Sequence, residues 1–124
     1  MQGEQKFNAL AAFGASKACN LLFSYELAHC LEGTGVTSNA LHPGLVKSTL
    51  MKEAIAPVRI LAQLVSVLPD KAAEVPVYHA SSPEVEGVTG KLFRGNKAIP
   101  SSAYSPDTAN QRRLWEVSEK LARL

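Results

Sequence analysis

From Ala9 to Leu31 the chain runs through about six helical turns interrupted only by Gly14, and Gly33 and Gly35 then stop it. No other feature constrains the fold as strongly. A short strand is expected next, Val36 to Leu41, with β-branched residues at its start and a Pro43-Gly44 turn at its end. A helix followed by a strand, with no strand before the helix, is the back half of a βαβ unit. The front half must lie elsewhere or be absent, so the pattern predicts an incomplete α/β arrangement.

Residues 1–8 are polar and read as an irregular lead-in. The long helix mixes apolar and small residues all round, which predicts burial on more than one side. Leu50 to Leu68 is the most apolar stretch, broken by Pro57, Arg59 and Gln63, and is too short and interrupted for a convincing transmembrane span. Periodicity leaves open a mobile cover over a ligand, a core-facing helix or a face resting on a membrane surface. A helix is expected from Pro69 to Ser82 with Ala72, Ala73, Val77 and Tyr78 inward, then a second strand from Val88 to Phe93. Residues 94–107, rich in Gly, Pro and Ser, read as a loop, and Asp107 with Thr108 starts a helix from Ala109 to Leu124.

At 124 residues, 46% hydrophobic and 19% charged, the chain can build one modest core, as one domain or part of one. A net charge of +2 and a pI of 8.6 are too mild for a nucleic-acid footprint. Lys and Arg at 112, 113, 120 and 123 read as a solvated helix face. Cys19 and Cys30 lie about 16 Å apart along one helix, beyond disulfide reach. With no leader-like segment and no disulfide framework, a reducing, cytoplasmic setting is the default expectation. His29, His42 and His79 have no ligand-like spacing and read as structural or surface residues, with no metal site implied.

Two motifs carry chemistry. Phe13-Gly-Ala-Ser-Lys17 sets an aromatic ring and an ammonium one helical turn apart, and Asn39-Ala-Leu-His-Pro-Gly-Leu-Val-Lys-Ser48 ends a strand in Pro-Gly. Together they resemble the short-chain dehydrogenase/reductase family, whose signature is Tyr-x-x-x-Lys on a long helix followed by a strand ending in Pro-Gly. Phe13 to Leu50, Val88 to Phe93 and Leu114 to Ser118 look most like its retinol-dehydrogenase-like branch. The resemblance implies the C-terminal half of a Rossmann-like, doubly wound parallel sheet, with residues 1–124 forming a partial domain that lacks the N-terminal dinucleotide-binding half. It also implies NAD or NADP as cofactor and a small-molecule alcohol or carbonyl as substrate. The long helix would pack on the sheet and help form a dimer.

Residue by residue, Phe13 stands where the family places its proton-transferring tyrosine, and a phenyl ring has neither donor nor acceptor. Lys17 matches the lysine that binds the nicotinamide ribose and lowers the tyrosine pKa. A lysine on a helix is far more often a solvated charge, but its frame and the distant Pro-Gly motif favour the functional reading. Pro43, Gly44, Leu45 and Val46 match the turn facing the nicotinamide carboxamide, and Ser48 stands where a threonine binds the same end; an ordinary strand-ending turn is the plainer reading. Ser16 has no histidine partner and no nucleophilic role is expected. Tyr25 lies about 12 Å along the helix from Lys17, too far to replace the missing hydroxyl, while Tyr78 and Tyr104 stay open as substitutes.

Neither Gly-x-x-x-Gly-x-Gly nor Gly-x-Gly-x-x-Gly occurs among the eight glycines, so no phosphate-cradling turn is present in the chain. The expectation is a family member whose isolated chain is inactive, with a non-catalytic interaction or dimerisation module as the alternative. Exposed strand edges and an uncovered apolar sheet face would call for self-association or a partner chain.

Overall fold

The computed structural model describes residues 8–44, 46, 68–102 and 104–123. Its order is α1 (Ala9–Cys30), β1 (Ala40–His42), α2 (Pro69–Ser81), a 3-10 turn (Pro83–Val85), β2 (Leu92–Arg94), β3 (Lys97–Ile99) and α3 (Thr108–Ala122). Two compact units share them: one drawn from Met1–Ala40, Gly87–Lys91 and Pro100–Leu124, the other from Leu41–Glu86 and Leu92–Ile99. The α/β class holds. The Leu50–Leu68 stretch falls outside the described residues except for Leu68.

In the first unit, α1 starts where Asn8 Oδ1 accepts the backbone N–H groups of Leu10 and Ala11 at 3.0 and 3.1 Å, covering two of the donors that a helix start leaves bare. Its buried residues, Leu22, Tyr25 and Ala28, recur every three positions and form one stripe. Burial on more than one side is therefore not what this helix shows: Leu10, Phe13 and Phe23 on its other faces are exposed. Against it packs α3, capped by Asp107, whose carboxylate accepts the Ala109 N–H at 2.9 Å. The Phe23 and Trp115 rings stack across that contact, with centroids 5.1 Å apart and planes 20° from parallel. Arg112, Arg113, Lys120 and Arg123 are exposed, as a solvated face requires.

The segment leading to β1 is held by side chains more than by ladder bonds. Ser38 N–H donates to Thr89 Oγ1 at 3.0 Å, Asn39 Nδ2 donates to Val88 C=O at 2.6 Å, and Asn39 Oδ1 accepts Lys91 N–H at 3.1 Å. Backbone bonds from Gly90 N–H to Ser38 C=O and from Ala40 N–H to Lys91 C=O, both 2.8 Å, advance in the same direction along both segments. These two segments thus run parallel, as expected. The strand itself starts at Ala40 rather than Val36, because Ser38 and Asn39 spend their polar groups through side chains.

The sheet has the order β1-β2-β3, and apart from Ala40 its residues belong to the second unit. β2 and β3 pair antiparallel, with Leu92 opposite Ile99 and Arg94 opposite Lys97. The expected parallel pair is kept, but the hairpin adds an antiparallel third strand within 94–107, so the sheet is mixed and that segment is not the structureless loop expected. Gly95, at φ +58°, supplies the positive φ that a type II′ connection needs at its first central position. Phe93 is buried beneath the His79 ring, centroids 4.3 Å apart, and His79 Nε2 donates to the Gly95 carbonyl at 3.1 Å. On α2 the less exposed face is Ala72, Val75, Tyr78 and His79, while Ala73 and Val77 point to solvent. Two of the four residues expected inward are therefore reassigned, on i, i+3, i+4 geometry that the sequence pattern had placed one step round.

Candidate nicotinamide-side site

Phe13 and Lys17 lie on the exposed face of α1 one turn apart, and the Lys17 ammonium sits 5.3 Å from the Phe13 ring centroid. An i, i+4 spacing brings such side chains together on any helix. The ring offers the ammonium its electron-rich face, a cation–π contact of about 0.5–1 kcal/mol at an exposed position. Ser16 Oγ donates to the Phe13 carbonyl at 2.8 Å, which ties its hydroxyl to the helix backbone. The two residues expected to act together are thus adjacent, with an aromatic face in place of a hydroxyl.

Pro43 and Gly44 leave β1 in the second unit, both exposed, and Gly44 has φ +72°, a conformation that suits glycine and few other residues. Its N–H donates to His42 Nδ1 at 3.0 Å. Val46 is half-buried and forms an isolated strand bridge. Leu45 and Ser48 lie outside the described residues. His42, read from the sequence as a structural or surface residue, is therefore the local anchor of the Pro-Gly step. A side-chain acceptor at that offset can meet the glycine N–H, but only when the ring is turned toward it.

The three tyrosines sit in different environments. Tyr25 is buried in the α1 stripe. Tyr78 donates its hydroxyl to the Glu84 carboxylate, and that bond, with burial and the carboxylate charge adding to it, raises the Tyr78 pKa. A phenol kept reactive by an ammonium shifts the other way. Tyr104 is exposed. Among the described residues no group of three His, Cys, Asp or Glu side chains could hold a metal ion, and no helix is long and apolar enough to cross a membrane. Cys19 and Cys30 are both free thiols.

No protein-family model matches the chain. Individual curated relatives do. The protein is 40% identical over 130 residues to human Retinol dehydrogenase 14, an alignment covering 100% of this chain and 39% of that protein. It is 34% identical over 124 residues to mouse Retinol dehydrogenase 12, covering 98% of the chain and 39% of the relative. Bovine Dehydrogenase/reductase SDR family member 13 is 39% identical over 120 residues, covering 93% and 32%. The chain spans between about a third and two-fifths of the length of these relatives. Similarity that runs through every described element, together with the Phe13–Lys17 frame and the Pro43–Gly44 step, places this chain in the short-chain dehydrogenase/reductase family, in its retinol-dehydrogenase-like branch.

Proposed function

We propose that the chain is the C-terminal portion of a short-chain dehydrogenase/reductase domain of Rossmann-like, doubly wound type, acting on an alcohol or carbonyl with NAD or NADP, and that proton transfer is lost at Phe13. The observation that carries this reading is the Lys17 ammonium lying over a phenyl ring at 5.3 Å. The lysine of the signature is present and correctly spaced while the group it would activate has no ionisable oxygen.

The residues present fit the nicotinamide end of such a cofactor. Lys17 is exposed and has three ammonium donors, which suit ribose hydroxyls. By family resemblance, Pro43, Gly44, Leu45 and Val46 would supply backbone groups for a carboxamide, and Ser48 a hydroxyl for the same end. A bound nicotinamide supplies or accepts the hydride. Phe13 can only pack against the reacting region, and the loss of a positioned general acid removes about 10²–10⁴ in rate. These 124 residues hold no glycine-rich phosphate cradle, so capture of a whole dinucleotide by this chain alone is weak.

Titration of the purified chain with NADH and NADPH tests this. Binding weaker than micromolar and no turnover of alcohols or aldehydes are expected, and micromolar binding overturns the claim that capture needs a phosphate cradle. A second reading, a non-catalytic interaction or dimerisation module, is favoured by the exposed Leu10 and Phe13 on α1. Sedimentation of the chain separates the two: concentration-dependent dimers that dissociate on Leu10→Glu support the module.

A further inference from the structure

The geometry points to His42 as the positioning residue of the Pro43–Gly44 peptide, through an Nδ1 lone pair that accepts the Gly44 N–H. The hydrogen bond is 3.0 Å long and joins a ring to an amide two residues on. That amide belongs to the peptide whose carbonyl is Pro43 C=O. No cis peptide bond occurs in the described chain, so the N–H and C=O of this unit point in opposite directions. Holding the N–H toward the imidazole therefore aims the Pro43 carbonyl away from it.

The described neighbours leave this peptide little other support. Pro43 has no N–H of its own. Gly44 lacks a side chain, sits at φ +72°, and an added Cβ there would meet nothing within 4 Å. A glycine in open space can rotate its flanking peptide planes at small cost. His42, Pro43 and Gly44 are all exposed, so packing does not fix the plane either. Among the described residues, the imidazole acceptor is the observed restraint.

The donor in this bond is an amide N–H, which fixes the chemistry of the ring: Nδ1 must be unprotonated and the proton of the neutral ring must sit on Nε2. The Pro43 carbonyl is thus presented in one direction as an acceptor. That this acceptor serves a carboxamide rests on the proposed function above; the positioning of the peptide does not.

Nuclear magnetic resonance on the whole 124-residue chain, labelled with nitrogen-15, tests the assignment. At a pH where the ring is neutral, the His42 Nδ1 resonance should be that of an unprotonated, hydrogen-bond-accepting nitrogen. His42→Ala should speed hydrogen exchange at the Gly44 amide by roughly threefold to tenfold, the range of one exposed hydrogen bond. His42→Asn should restore it to within about twofold, because an asparagine oxygen reaches the N–H two residues on in the same way. A protonated Nδ1 in the parent chain, or Gly44 exchange unchanged by His42→Ala, overturns the proposal. The Nδ1 signature needs no variant, so misfolding of His42→Ala leaves the test intact. NADPH added to the parent chain at millimolar concentration reads out the other claim: amide shifts around Lys17 with a Gly44 amide that does not move, the hydrogen bond being present, count against the cofactor-facing reading of the step and leave the role of His42 standing.

Discussion

Phe13→Tyr puts a phenol where Lys17 can act on it, and the size of the effect follows from the structure. Lys17 Nζ stands 5.3 Å from the ring centroid. A phenol oxygen lies about 2.8 Å from its ring centre, so an ammonium over the ring face stands roughly 6 Å from it, and two unit charges at that separation interact by about 0.7 kcal/mol at the dielectric constant of water and by about 1.4 kcal/mol at half of it. Phe13 is 52% exposed, so solvent screening keeps the effect inside this range. The ammonium favours the phenolate, which lowers the phenol pKa. At about 1.36 kcal/mol per unit, the introduced phenol should titrate roughly 0.5–1 units below the ordinary value of about 10. Tyrosinate absorbance measured as a difference between variant and parent isolates it from the three native tyrosines. Adding Lys17→Met to Phe13→Tyr should return it to the ordinary range. A new phenol that titrates at or above about 10, or that ignores Lys17→Met, refutes the claim that this helix face is built to activate a hydroxyl.

Asn39→Ala removes both side-chain bonds to the 88–91 segment and should cost about 1–3 kcal/mol in denaturant unfolding, while Asn39→Asp, which faces the Val88 carbonyl with an oxygen, should rescue little of it. A double-mutant cycle on Phe23→Ala and Trp115→Ala should return a coupling of about 0.5–1.5 kcal/mol for the stacked pair; a coupling near zero would show that area burial alone joins α1 to α3. Glu84→Ala should lower the Tyr78 pKa toward that of an ordinary tyrosine, since the Glu84 bond is the largest cause of its rise. The sign for stability follows: the contribution of Tyr78 is fully present below the unfolded tyrosine pKa and is lost as pH rises through the higher folded value. Alkaline unfolding of the parent should therefore begin in that window and be blunted in Glu84→Ala.

The helices were legible because their signals are local. A run without strong breakers bounded α1 to within one residue, and Asp107 marked the start of α3 through the same side chain that caps it. Two of the strands were legible in place but not in extent, and the third was missed, because each is three residues long, too short for alternation to register. Gly95 and Asn96 looked like part of a loop rich in Gly, Pro and Ser, yet their order, glycine first, is the one a type II′ hairpin uses. The Phe13–Lys17 pair was readable from helical spacing alone. The role of His42 was not, since it depends on which way one ring turns.

The replacement of a phenol by a phenyl at position 13 separates the stability of the helix from the chemistry of the site. A phenyl ring keeps the cation–π contact with Lys17, worth about 0.5–1 kcal/mol where solvent reaches it. Phe and Tyr also lie close together in helix propensity. Folding of α1 is thus almost blind to the change, whereas a positioned hydroxyl contributes about 10²–10⁴ in rate, or about 3–5 kcal/mol of barrier. Identity of 34–40% to dehydrogenases along nearly the whole chain reports only the first of these quantities. On the function proposed above, the second depends on a single oxygen atom, and Phe13 does not have it.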